Sequence, residues 1–356
     1  MAVTSALGVR RVRVPFRVPF ETAAGTWTAR DSLIVELRSE AGARGVGEAP
    51  IDPAHSTAVL AILVQRLLDG TGDGVPEDVR HAFGAGLGSA VLDLAAPPEP
   101  VASAVRDGVR VNATIGAGSV EETVAAAVAA TAAGFGTLKL KAGAHEPART
   151  LVDRILEVRA AVGPAIALRL DVNGAWTLDE AIARLRPLDG ALEYVEQPLP
   201  VGERGGTARL RTLVGVPVAA DEAVTSPEVA AALLARGSAD VLVVKPARVG
   251  GPAAVAEIAG MAAARGVPIV VSSLFETGIG LAAAIACAAT LPDVPGWPAA
   301  ERAHGLATAG VLEHDLLVSP LVVEGGRIRA PFDAGSGGLG TVVDDAALEQ
   351  YVVDDA

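Results

Sequence analysis

A single cysteine, Cys287, excludes an intrachain disulfide and any cysteine-based zinc site. It lies in an Ala-rich helical run and reads as a packing residue. Long apolar runs are also missing. The longest near helix scale, Leu281 to Leu291, spans 11 residues, short of the roughly 18 or more that a membrane helix needs. Arg10, Arg11 and Arg13 are not followed by the apolar stretch of a secretory signal. Positive charge is scarce, with a formal net charge of −13, which argues against nucleic acid and anionic membranes as partners because both select basic patches. The five histidines, His55, His81, His145, His304 and His314, form no helical pair of zinc ligands. These absences leave the expectation of a soluble cytoplasmic protein with neither nucleic-acid nor membrane partners.

What is present is apolar content of 51% over 356 residues, enough for a large core in one large domain or a barrel with a smaller partner. The first hundred residues read as α+β. Strands are expected at Val12 to Val18, Ser32 to Arg38 and Gly45 to Ala49, with a helix over Ser56 to Leu68 and a helical run at Ser89 to Ala95. A mobile loop is expected over Phe20 to Arg30, which is rich in Thr, Ala and Gly. Gly84, Gly86 and Gly88 spell a glycine motif but follow no strand, so they are not read as a nucleotide site. The Pro-rich break Pro97 to Pro100 marks a boundary. Beyond it, short apolar strands alternate with Ala-rich helices: Val109 to Ile115, Thr137 to Lys141, Ala167 to Asp171, Leu192 to Glu196, Val218 to Asp221, Val241 to Lys245, Ile269 to Ser273 and, weakly, Ala303 to Leu306. Their spacing of roughly 25 to 30 residues is that of βα units, and eight of them make a (β/α)₈ barrel. The fold class expected is therefore α/β, a modified TIM-type barrel. Leu317 to Val323 and Arg327 to Ala330 are strand-like pieces of a segment that returns to the N-terminal part. The three parts are residues 1–104, 105–315 and 316–356.

Charge collects where such barrels keep their active sites, at the C-terminal strand ends. Lys139 and Lys141 alternate on the second strand, so both ammonium groups point the same way. Asp171, Glu196 and Asp221 end the third to fifth strands and Lys245 ends the sixth. The second and sixth strands are four apart in a ring of eight, so the lysines face each other with the carboxylates on the arc between. Three converging carboxylates need a cation, and an all-oxygen donor set suits Mg²⁺, with Mn²⁺ able to substitute. A divalent ion beside two lysines suits proton abstraction next to a substrate carboxylate. The expected partner is a small-molecule carboxylate; oligomeric state is left open. Asp179 and Glu180 read instead as residues of a helix start, and His304 as structural.

Lys139-Leu-Lys141, Asp171-Val-Asn173 with Trp176, Glu196-Gln-Pro198, Asp221-Glu222 and Lys245-Pro-Ala-Arg-Val-Gly-Gly251 together resemble the enolase superfamily, specifically its muconate-lactonizing-enzyme subgroup. Gly45-Val-Gly-Glu48 and Gly338-Leu-Gly340 with Asp344 resemble features of its capping domain. The resemblance implies an N-terminal α+β capping domain, completed by the C-terminal segment, over a modified barrel. It also implies Mg²⁺ on Asp171, Glu196 and Asp221, with acid/base lysines Lys141 and Lys245.

Within the subgroup, Ser272-Ser-Leu-Phe-Glu-Thr-Gly-Ile-Gly280 and Ala303-His-Gly-Leu306 resemble the o-succinylbenzoate synthases of menaquinone biosynthesis, lyases that dehydrate a cyclohexadiene carboxylate (SHCHC) to an aromatic product. By that likeness Lys141 would take the proton α to the carboxylate and help the hydroxyl leave. Lys245 would stabilise the enediolate and Lys139 would hold the Lys141 pKa down. Ser272, Ser273, Glu276 and Asn173 would line the substrate site, and the Phe20 to Arg30 loop would close it. Dipeptide epimerases of the subgroup carry an Asp-x-Asp pair on the eighth strand, absent here. The mandelate-racemase branch places a histidine base on the seventh, also absent. N-succinylamino-acid racemases share the lysines and carboxylates and are the nearest rival, with cycloisomerases behind. A metal-dependent hydrolase or aldolase would want histidine ligands or a lone Schiff-base lysine. A barrel serving only as a binding protein would not need two facing lysines and three carboxylates.

Overall fold

The computed structural model describes residues 4–22, 25–51, 57–95, 107–143, 146–329 and 338–353. The Pro97 to Pro100 break, His55, His145 and Ala330 lie outside them.

Three antiparallel strands open the chain: Thr4–Thr22, Gly25–Ser39 and Arg44–Pro50. The first two run through the Phe20 to Arg30 stretch expected to be a loop. Phe20 pairs with Trp27 and Val14 with Arg30, so that segment is a hairpin. Alternating Thr and Trp are good strand formers once a partner strand is beside them, and the pairing, not the composition, decides. The ladder slips between Pro15 and Phe20, a segment in which Pro15 and Pro19 have no N–H to offer.

The helices Thr57–Leu68 and Glu77–Leu94 cover this sheet. Gly84, Gly86 and Gly88 sit in the second, a longer helix than the Ser89 to Ala95 run suggested, and they serve packing. Gly86 meets Ala49 and Val35 of the sheet, while Gly84 and Gly88 meet Gly250 and Pro252 of a barrel loop. A β-carbon at Gly47 would press into the carbonyl oxygen of Gly86, a backbone atom that cannot step aside. Gly47→Ala is therefore expected to cost about 3 kcal/mol or more, the upper end for overpacking. A urea denaturation midpoint close to wild type would contradict this close approach.

The barrel sheet has seven parallel strands in sequential order. They are Ala113–Ile115, Thr137–Lys141, Ala167–Asp171, Tyr194–Glu196, Val218–Ala220, Val241–Val244 and Ile269–Val271, called the first to seventh barrel strands below. The expected strand Val109 to Ile115 is split. Val109–Arg110 pairs antiparallel with Arg327–Arg329, which pairs with Val322–Glu324, and only Ala113–Ile115 joins the barrel. The eighth strand does not form a ladder. His304 and Gly305 make single parallel bridges to Val111 and Ser272, and these join the two edges of the sheet. Asp221 and Lys245 lie one residue past their strands, at the same rim.

The helix Gly278–Ala289 is buried on every side from Gly278 to Ala288, between barrel and capping sheet. This explains the apolar run without a membrane. Among the described residues no helix is long and apolar enough to cross one. Residues beyond the Val322 to Arg329 hairpin return to the first sheet: Val352 bridges Val12, and Val353 donates to the Arg11 carbonyl at 3.0 Å.

Candidate active site

Register places three predicted residues in one row, with Lys141 opposite Asp171 and Asp171 opposite Glu196. Lys139 lies one layer below, two residues back on the same strand. Its ammonium reaches up to Asp171 Oδ2 and Glu196 Oε1, both at 2.9 Å. Lys141 Nζ is 2.7 Å from Asp171 Oδ2 and 2.8 Å from Asn173 Oδ1. Across the row, Lys245 Nζ is 2.6 Å from Asp221 Oδ2. The two strands bearing Lys141 and Lys245 are separated by the three that bring the carboxylates. The structure thus gathers Lys139, Lys141, Lys245, Asp171, Glu196, Asp221 and Asn173 at one rim.

The electrostatics are set by burial against fixed ammonium charge. Burial alone would raise the Asp171 carboxyl, but Lys139 and Lys141 pull it well below the usual range. Burial opposes ionisation of Asp221 as well, yet Lys245 and Arg248 hold it low. Lys139 loses hydration, which favours the neutral amine, but Asp171 and Glu196 keep it firmly charged. Glu196 is different: burial and the neighbouring Asp171 charge push it up to about 7, beyond what Lys139 offsets.

This row fits a hard divalent cation. Its donors are all carboxylate oxygens, and burial together with the Asp171 charge raises the Glu196 carboxyl, which a cation beside it would favour in its ionised form. Beside it, Glu222 Oε2 is buried with no hydrogen-bond partner, while its other oxygen takes the Asn173 amide at 2.8 Å. Among the described residues no three His, Cys, Asp or Glu side chains stand as a ready-made metal cluster. The compensating positive charge in this arrangement comes from the ammonium groups.

Local backbone geometry aims these side chains. Asn173 and Gln197, just past the third and fourth strands, have φ of 50° and 40°. This left-handed region is uncommon for residues with a β-carbon and costs about 1–3 kcal/mol each. The structure also recruits residues to which the sequence reading gave no role. Gln197 Oε1 accepts the Asp221 and Ala223 N–H groups, each at 3.1 Å, and so fixes the Asp221 turn. Arg248 donates to Asp221 Oδ1 at 2.9 Å, and His81 of the capping helix donates to the Arg248 carbonyl at 2.9 Å. Arg169, fully buried below the row, bonds Glu193 at 2.6 Å and Ala303 O at 2.8 Å and lies over the Tyr194 ring. Its signal was available in the alternation of Arg169 with Asp171 along one strand.

Ser272, Ser273 and Glu276 lie in the loop after the seventh strand. Ser272 Oγ faces Gly305 O at 3.4 Å, and Ser273 Oγ meets Thr308 Oγ1 at 3.0 Å. Glu276 accepts the Leu274 N–H at 2.7 Å. Among the described residues no hydrogen bond joins these three to the lysine–carboxylate row. His304 accepts the Val271 N–H on Nδ1 and is held neutral, its pKa lowered to about 3 by burial and then by Arg169 and Arg302. Its role is structural. Thr177 and Glu180 form a capping box at the start of the helix that carries Asp179 in its first turn.

Comparison with known proteins agrees with this geometry. The family described as Enolase C-terminal domain-like matches residues 122–347. The L-Ala-D/L-Glu epimerase of Bacillus subtilis is 29% identical over 96% of this chain and 98% of its own length. Its substrate-liganded structure superposes with a TM-score of 0.80, covering 96% of this chain and 99% of that one. The o-succinylbenzoate synthase of Thermobifida fusca is 40% identical over 61% of this chain and 65% of its own. Muconate lactonizing enzyme from Pseudomonas fluorescens, solved with muconolactone, is 26% identical, with a TM-score of 0.84 over 99% of this chain and 100% of that one. With its curled parallel sheet, its rim of lysines and carboxylates and these relatives, this chain belongs to the enolase superfamily, within the muconate-lactonizing-enzyme subgroup.

Proposed function

We propose that this enolase-superfamily enzyme is an o-succinylbenzoate synthase, converting SHCHC to an aromatic succinylbenzoate with loss of water, which would place it in menaquinone biosynthesis. Enzymes of the superfamily bind Mg²⁺. Here Asp171, Glu196 and Asp221 would hold it, and when bound it supplies positive charge for a substrate carboxylate whose negative charge grows as the α-proton leaves. The observation that carries the reading is that Lys141 and Lys245 flank the acidic row from opposite sides, each on the nearest carboxylate at 2.7 and 2.6 Å.

Of the two lysines on the second strand, Lys139, one layer below, is tied to Asp171 and Glu196, while Lys141 stands at the rim with 28% of its side chain exposed, so Lys141 is the one that reaches a substrate. As the free amine it takes the proton α to the carboxylate. The same ammonium returns that proton to the departing hydroxyl, which leaves as water. Lys245 stays charged on the opposite face, where it holds the enediolate oxygens by charge and hydrogen bond. Lys139, kept charged by Asp171 and Glu196, is a fixed positive neighbour and not a second base.

The bridge segment Ala303 to Thr308 favours this substrate over a dipeptide. A dipeptide brings a free ammonium that needs an anionic partner, and this segment offers only Ala, His, Gly, Leu and Thr, with its histidine neutral and buried. The succinyl tail of SHCHC ends in a carboxylate, itself anionic, and asks for no anionic partner. A second reading, racemisation of N-succinylamino acids, is favoured by the full-length likeness to an epimerase and uses the same two lysines, one on each face. The protein with Mg²⁺ should give the ultraviolet absorbance of an aromatic product from SHCHC and no solvent-deuterium exchange into L-Ala-D/L-Glu. Exchange into N-succinylamino acids without any aromatic product would transfer the assignment to the racemase reading.

A further inference from the structure

The loop after the seventh strand is held from the other domain. Glu48, on the third capping strand and 2% exposed, reaches across the domain interface. It accepts the Thr277 N–H at 2.9 Å, the Thr277 hydroxyl at 2.6 Å and the Gly280 N–H at 3.0 Å. Ser32 of the adjacent strand donates to it at 2.7 Å. A carboxylate thus sits on the first turn of the Gly278–Ala289 helix, where free N–H groups and the helix dipole favour negative charge. That carboxylate belongs to a different domain from the helix.

A second buried carboxyl lies against it. Glu276 is 5% exposed. A β-carbon at Gly280 would stand 2.6 Å from Glu276 Cβ and 3.0 Å from Glu48 Oε2, so both acids crowd the same glycine. Between Ser273 and Glu276, Phe275 takes φ of 62° and packs edge-on against Phe16 of the first capping strand, with ring centroids 5.7 Å apart. The loop carrying Ser272 and Ser273 is therefore fastened to the capping domain at two points and strained between them.

We propose that Glu48 and Glu276 are an interdomain positioning pair: Glu48 fastens the seventh-strand loop to the capping sheet, and Glu276, packed beside it, holds that loop so that Ser272 and Ser273 are presented to the acyl tail of the substrate. The charged groups facing Glu276 are Glu48 and Arg30 of the capping strands. Burial first, then the Glu48 charge, push Glu276 up to about 7, with Arg30 opposing. Ionising Glu276 would set two buried anions side by side and loosen the loop. The serine contact rests on the synthase reading; the fastening itself does not.

Three measurements separate these. Because the folded-state pKa of Glu276 lies above its ordinary 4.5, the folded protein binds the extra proton and stability falls as pH rises from 4.5 to about 7. Glu276→Gln should remove that component from the melting temperature measured against pH. Glu48→Gln, which keeps the shape, should speed exchange of the Thr277 and Gly280 amides about tenfold relative to those of Leu168 and Leu170, the loss of one good helix-capping carboxylate. In wild type, KM for SHCHC should rise about tenfold between pH 6 and about 8.5 with kcat falling less than about threefold, a split that a loss of folded protein would not give. Glu276→Gln should flatten that rise. A melting profile of Glu276→Gln parallel to wild type, or unaltered exchange in Glu48→Gln, overturns the pair. A flat wild-type KM profile overturns its positioning role. Absence of aromatic product beside both stability effects would instead remove the synthase reading and leave the fastening standing.

Discussion

Lys141→Ala is expected to lower kcat about 10³-fold, the middle of the range for loss of a positioned general acid–base group. The folded protein and its metal affinity should be nearly untouched. The size of the effect follows from the row itself. Lys141 is the exposed member of the pair on the second strand, and no neighbour can take over its position. Lys139 lies one layer deeper and is tied to two carboxylates. Its ammonium also explains why the fold should survive, since Asp171 keeps one ion-pair partner after Lys141 is gone. Steady-state turnover beside circular dichroism and calorimetric Mg²⁺ titration tests all three parts. A rate within about tenfold of wild type would take Lys141 out of the proton transfer.

Asp221→Asn is expected to weaken Mg²⁺ binding about 100-fold or more, since losing a charged ligand exceeds the 10- to 100-fold effect of its supporting partners. Calorimetry measures it directly, and a dissociation constant within about threefold of wild type would remove Asp221 from the ligand set. Stability should drop as well. Asp221 is 2% exposed in its ion pairs and is the anion for both Lys245 and Arg248. Breaking a buried pair by neutralising one partner costs about 3–5 kcal/mol, and the amide's retained hydrogen bonding puts the loss near the lower figure. Loss of stability without loss of metal affinity would make the residue an anchor for the sixth-strand lysine alone.

The rim was legible because its information is local. Lys139 and Lys141 share a strand, and two-residue alternation alone puts both on the inner face. Asp171 and Glu196 end apolar runs short enough to be only strands. The parts that escaped depend on partners far along the chain. Nothing near Phe20 to Arg30 announces a hairpin, because its bonds are made only when the two strands meet. Val109 to Ile115 reads as one strand until Arg327, which donates to Gly108 from 219 positions away, claims its first half. Ala303 to Leu306 carries too little apolar surface to hold a ladder, and it is present as two bridges. Glu48 is 229 positions from Thr277, so its sequence neighbours say only that it lies on a strand.

Pairing between the two extremities of the described chain bears on how the molecule is made. Arg10 meets Glu349, 339 positions later, and Arg13 donates to the Tyr351 carbonyl at 2.9 Å. On the ribosome the outer margin of the first sheet must therefore wait, unpartnered, while every barrel strand emerges and folds. The cap is synthesised before the barrel and finished after it, and a nascent chain stalled before residue 349 would hold a nearly complete barrel beneath a lid it cannot yet fasten.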